Sequence, residues 1–281
     1  MPAGFLDKLE RRMRRTVSAL CLGIDPDPDA LPPGFSSDVA GIERFAALLL
    51  EACAPVASAV KPNLAFFEAF GSPGIAALER ILRAVPSDLP VILDAKRADV
   101  QNTAQRQAVA LLETLGADAV TLNPYLGREA VDPFLERTEC FAYVLCRTSN
   151  PGAGEFQDLP VGDTGDPLYL HVARTVTKWA GELPKLGLVV GATSLAELEA
   201  IRTAVPTLPF LVPGVGTQGG DPAGVLASGG ATEGPAAGLP GGGVLVNVSR
   251  SIAAAALTGG DPGRALARTA SDWSRALAVL A

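Results

Sequence analysis

Apolar runs and amphipathic stretches alternate through almost the whole chain. The runs at 19–25, 57–63, 90–96, 119–123, 142–148, 186–193, 210–216 and 244–250 are nearly continuous in hydrophobicity. That is the pattern of parallel strands covered on both faces. Between them, 42–54, 74–84, 103–115, 195–204 and 264–280 carry helical spacing. Asp221-Pro222 and Asp261-Pro262 each read as an N-cap followed by a proline in the first turn. Eight strand–helix units in 281 residues predict an α/β fold, a single (β/α)₈ TIM barrel spanning 1–281. A doubly wound sheet is the alternative, because alternation alone does not show closure.

Two segments break the pattern. Residues 228–243 are rich in Gly, Ala and Pro and predict a flexible loop before the eighth strand, at the N-terminal face. Residues 150–166 follow the fifth strand, on the face where barrels do their chemistry. Gly152, Gly154 and Gly162 suit a lid there.

Charge narrows the partners. Lys plus Arg number 23 against 30 Asp plus Glu, a net charge of −7, which leaves no footprint for nucleic acid or an anionic membrane. Cys21, Cys53, Cys140 and Cys146 form no CxxC pair, and His171 is the only histidine, so no Cys/His metal site is expected. Cys21, Cys53 and Cys146 sit in apolar runs and read as buried thiols, and His171 and Asn123 read as residues without a catalytic role. Arg11, Arg12, Arg14 and Arg15 lie on a first helix without the apolar stretch of a signal peptide. No run is long enough to span a bilayer. A cytoplasmic protein is the expectation.

The candidate chemistry lies at strand ends. Asp25, Lys61, Asp94, Lys96 and Arg250 all fall there, where a charge is costly unless it is paired or used. Asp94 and Lys96, two residues apart, point together into the barrel mouth. Lys61 reaches the same space from the neighbouring strand. Asp99 lies just past the strand, where the turn brings it back or sends it to a neighbouring subunit. Such a Lys–Asp–Lys–Asp cluster in a cleft marks function. After the seventh strand, Pro213-Gly-Val-Gly216-Thr-Gln218-Gly-Gly-Asp221 contains a GxGxxG match. Its place in the chain is wrong for a dinucleotide fold. With Ser249 and Arg250 after strand eight it reads instead as a phosphate cradle.

These residues resemble a known family. CLGIDPDP (21–28), VKPNLAFFEAFG (60–71), LDAKRADVQNTA (93–104), VTLNPYLG (120–127), TSNPGAGEFQ (148–157), LVPGVGTQGGD (211–221) and VNVSRSI (246–252) are similar to segments of orotidine 5′-phosphate decarboxylase, and more narrowly of its bacterial type 2 branch. The resemblance implies a homodimer with shared active sites, acting without metal or cofactor on a nucleotide. It implies decarboxylation of orotidine 5′-monophosphate to UMP and CO₂, the last step of UMP synthesis, with Lys96 as proton donor. By motif, Lys61, Asp94, Lys96 and Asp99 match the charged tetrad. Asp99, Val100 and Thr103 match positions that reach the partner's site. Asp25 matches the ribose-contacting aspartate and Ser149 the serine at the pyrimidine edge. Gln218, Ser249 and Arg250 match the phosphate grip. Ala98 and Val100 stand where glycine and isoleucine are commoner in the family. Two rival readings remain: a sister sugar-phosphate enzyme using Mg²⁺, in which a carboxylate would stand near Lys61, and a phosphonucleotide-binding scaffold without turnover.

Overall fold

The computed structural model describes residues 4–137, 139–163, 165–181 and 185–279. Eight parallel strands form the barrel: β1 (Leu20–Ile24), β2 (Ala59–Pro62), β3 (Ile92–Arg97), β4 (Ala119–Leu122), β5 (Phe141–Arg147), β6 (Leu186–Val190), β7 (Phe210–Pro213) and β8 (Leu245–Val248). Their hydrogen-bonded order is β2-β1-β8-β7-β6-β5-β4-β3. The remaining seam, between β2 and β3, is closed by parallel bridges Val60–Val91 and Asn63–Asp94. Across it, Val60 N–H donates to Pro90 O at 2.9 Å and Leu64 N–H to Asp94 O at 3.2 Å. Closure excludes the doubly wound alternative. β1, β2, β4, β6 and β8 are buried along their whole length, which is why their sequences read as unbroken apolar runs.

The helices used below are α1 (Phe5–Thr16), α2 (Val39–Cys53), α3 (Gly71–Ala84), α4 (Gln101–Ala108), α5 (Leu168–Ala180), α6 (Leu195–Ala204), α7 (Pro222–Gly229) and α8 (Pro262–Ala276). Both expected N-caps form: Asp221 accepts from Ala223 and Gly224, and Asp261 from Arg264. The helix expected over 103–115 is α-helical only to Ala108 and then widens into a π-turn, Val109–Thr114. Among the described residues no helix is long and apolar enough to cross a membrane. Cys21, Cys53 and Cys146 are buried and Cys140 half-buried. His171 is exposed.

α1 closes the bottom of the barrel. Phe5 stacks on Phe141 and meets Tyr143 edge-on. The buried Arg12 donates to the carbonyls of Ala54 and Ala57, just before β2, and Lys8 pairs with Asp118 at 2.8 Å, just before β4. Residues 228–243, expected as a flexible loop, fold against this same end. Thr232 N–H donates to Pro206 O, and Ala231, Ala236 and Leu239 gather against Leu6 of α1. Their small side chains permit that close packing, which composition alone does not reveal.

Candidate active site

The centre of the site is built on an irregularity in β3. Leu93 pairs with Val120, but the next paired residue of β3 is Arg97, opposite Leu122. The slack is gathered around one hydroxyl. Thr121 Oγ1 accepts the N–H groups of Ala95 and Lys96, each at 3.0 Å, and donates to Asp94 Oδ1 at 2.9 Å. Lys96 sits at φ 48°, a left-handed conformation that costs a residue with a side chain about 1–2 kcal/mol. Such bulges re-aim side chains, and this one folds the Lys96 amine back to 2.5 Å from Asp94 Oδ1. Lys61 Nζ lies 2.5 Å from Oδ2 of the same carboxylate. Asp94 thus bridges two ammonium groups.

Burial divides their roles. The Lys61 side chain is 5% exposed and that of Lys96 49%, so Lys61 is a fixed internal charge while Lys96 can meet a ligand. Burial opposes ionisation of Asp94, but the adjacent Lys61 and Lys96 outweigh it and hold the carboxyl well below the usual range. Burial likewise opposes the Lys61 charge, and Asp94 and Asp25 overcome it, raising its pKa. Beneath them burial pushes the Cys21 thiol up to about 12, with Lys61 opposing.

The sign of the pH dependence follows. The stability from Asp94 is complete above the ordinary carboxylate value and is lost as pH falls towards the folded value. That from Lys61 is complete below the ordinary lysine value and is lost as pH rises through the folded one. Neither group will therefore introduce an ionisation into kcat/KM between about pH 5 and 9. An inflection in that window that disappears in Asp94→Asn would contradict the assignment.

The opposite wall comes from the turns after β7 and β8. Gly214, Gly216 and Gly219 have φ of 100°, 91° and 82°, which side-chain-bearing residues rarely adopt. A Cβ on Gly216 would lie 2.1 Å from Ser251 Oγ, the atom that accepts Thr217 N–H at 3.0 Å. Gly216 therefore shapes the loop from behind rather than lining the cavity. Ser149 Oγ donates to Gln218 Oε1 at 3.0 Å, joining the turn after β5 to the β7 loop across the mouth.

The result is a cavity of about 280 Å³ that brings together Asp25, Lys61, Asp94, Lys96, Ser149, Pro213, Gln218, Ser249 and Arg250. Leu145, Val189 and Leu211 supply apolar lining. Among the described residues no carboxylate pairs with Arg250. Asp99, Val100 and Thr103 do not join the cavity. Asp99 Oδ1 accepts the N–H of Val100 at 2.7 Å, and Val100 is 60% exposed. Sequence reasoning missed two residues here. Thr121 is a lone hydroxyl in an otherwise apolar strand, and Asn247 a lone amide in another. Asn247 Oδ1 and Asp25 Oδ1 are buried in the cavity wall without a partner. Each is an acceptor whose unmet bond costs about 1–3 kcal/mol, so a bound hydroxyl or water would relieve it. Among the described residues no three His, Cys, Asp or Glu side chains come together as metal ligands would.

Comparison with known proteins decides what this arrangement is related to. The family model for orotidine 5′-phosphate decarboxylase / HUMPS matches residues 18–266. The chain belongs to the orotidine 5′-phosphate decarboxylase / HUMPS family. An orotidine 5′-phosphate decarboxylase of Thermomicrobium roseum is 45% identical over 270 residues, covering 95% of this chain and 94% of the relative. One from Herpetosiphon aurantiacus is 44% identical over 88% of each chain. Among solved structures, a putative orotidine-monophosphate decarboxylase of Toxoplasma gondii superposes with a TM-score of 0.87. It shares 36% identity and is covered to 94%, against 98% of this chain. The family's match spans all eight strands, so the cavity above is held on its complete barrel.

Proposed function

We propose that this member of the family decarboxylates orotidine 5′-monophosphate to UMP and CO₂, without metal or cofactor, as the last step of UMP synthesis in the cytoplasm. The observation that carries the reading is the Lys61–Asp94–Lys96 relay. Its reachable ammonium lies in the same cavity as the unpaired Arg250 guanidinium. One cavity then holds a proton donor for the base and a charge partner for the phosphate.

Breaking the C6–carboxylate bond leaves the electron pair on C6 and releases CO₂. The Lys96 ammonium gives its proton to C6, forming the C–H bond of UMP, and solvent reprotonates the amine. Before that, the ammonium stabilises the growing charge on C6. Asp94 would stand against the substrate carboxylate, and Lys61 offsets the charge of Asp94 and keeps it oriented. The apolar lining excludes water from the reacting carbon. Gln218, Ser249 and Arg250 would grip the phosphate. Binding energy from that remote group would close the 150–166 lid, with Ser149 meeting the pyrimidine edge. Asp25 would accept from the ribose.

Asp99, Val100 and Thr103 complete the site of a partner subunit in this reading. What supports it is that none of these residues lines its own cavity. Val100 beside Asp99 is also exposed, an apolar side chain that a second copy would cover. The direct test follows the loss of orotidine 5′-monophosphate absorbance with EDTA present. Conversion to UMP is expected. Failure with EDTA and recovery with Mg²⁺ would favour a sugar-phosphate sister reaction, and UMP binding without conversion a scaffold.

A further inference from the structure

The lid carries a connection that the proposed chemistry does not use. β5 pairs with β6 regularly as far as Leu145, opposite Val189, and resumes with Arg147 opposite Val190, so Cys146 is an extra residue. Strict alternation would send Arg147 into the mouth beside Leu145. The bulge turns it outward instead. Its guanidinium lies over the Tyr169 ring, and its Nε and Nη2 meet the two carboxylate oxygens of Glu197, in the first turn of α6, at 2.8 and 2.9 Å. Such a bidentate pair is geometrically fixed as well as strong.

The fork also reaches the lid: Nη2 lies 3.4 Å from Asp158 Oδ1, and the remaining nitrogen holds Gln157. Arg147 Nη1 donates to Gln157 Oε1 at 3.1 Å. The same oxygen accepts Thr148 N–H at 2.9 Å, and Gln157 Nε2 donates to Thr148 Oγ1 at 3.0 Å. Gln157 closes the short helix Gly154–Gln157 within the lid. All three of its bonds go to the two residues that immediately precede Ser149. We propose that Gln157, backed by Arg147 and Glu197, is a positioning residue that fixes the Thr148 peptide and so aims the Ser149 hydroxyl. The clamp ties the base that carries Ser149 to β5 and α6. This inference rests on the functional reading for its effect on catalysis, but not for its geometry.

Two variants test it. Gln157→Leu removes all three bonds. Gln157→Glu keeps the acceptor for Arg147 and for the Thr148 N–H, with Thr148 able to donate its own proton. Gln157→Leu is expected to lower kcat/KM for orotidine 5′-monophosphate by about tenfold to a hundredfold, and Gln157→Glu by less than about threefold. In a Ser149→Ala background Gln157→Leu should add nothing, because its effect passes through that hydroxyl. Losses that multiply in full would overturn the proposal. Amide exchange of Thr148 gives a readout independent of activity. It should rise at least about tenfold in Gln157→Leu and return in Gln157→Glu, and unchanged exchange would overturn the clamp. A wild-type protein that does not decarboxylate the substrate would overturn the functional reading and the role of Ser149 with it. The exchange result would still decide whether the clamp exists.

Discussion

Lys96→Ala will abolish turnover of orotidine 5′-monophosphate while UMP still binds. A positioned general acid contributes about 10²–10⁴ in rate, and an ammonium placed where charge develops contributes on a similar scale. Losing both at one atom should cost at least about 10⁴-fold. The fold should survive, since the amine is half-exposed and Asp94 keeps Lys61 and Thr121 as partners. The proposed phosphate grip of Gln218, Ser249 and Arg250 would be untouched, so the Kd for UMP should stay within about tenfold of wild type. Single-turnover formation of UMP beside a UMP titration makes the measurement. A near-normal rate would remove Lys96 from the chemistry, and lost binding would mean that the substitution had disturbed the cavity itself.

Asp99→Ala should be nearly as severe, with a loss of about 10³-fold, although Asp99 touches nothing in its own cavity. The decisive experiment mixes it with Lys96→Ala, each inactive alone. In a mixed dimer one site has an intact Lys96 and receives an intact Asp99 from its partner. The other site has neither. With random exchange half the dimers are mixed and one site in each is whole, so roughly a quarter of wild-type activity should return. Recovery of none, with exchange of subunits confirmed, would place Asp99 outside the shared site. It would also leave its hydrogen bond to Val100 as its whole role.

The barrel could be read from the chain because its strands are buried on both faces and its helices on one, and both conditions leave a periodic trace. The residues of the relay were legible for the same reason that makes them costly: charges at the ends of apolar runs. What could not be read is how they meet. Two-residue alternation predicts that Asp94 and Lys96 share a side, yet β3 abandons that alternation between Leu93 and Arg97. The outcome survives because Thr121, a neighbour only in space, holds the kinked backbone. Arg147 shows the opposite case. Alternation would put it in the mouth, and the bulge at Cys146 takes it out. Small residues carry little hydrophobic signal, so the contacts of segment 228–243, made by backbone bonds and a close fit to α1, have no trace in its composition. Bulges and tight backbone packing are set by tertiary partners, and no local pattern announces them.

The seal formed by α1 has a consequence for traffic through the barrel. With Phe5, Phe141 and Tyr143 packed together across the lower end, and Arg12 fastening the helix to the chain entering β2, that route is closed. In the proposed reaction, nucleotide, carbon dioxide and the water that would restore the Lys96 proton all share the one doorway at the other end. Both products of that reaction would leave by the way the substrate entered, so whatever opens the doorway would govern both departures.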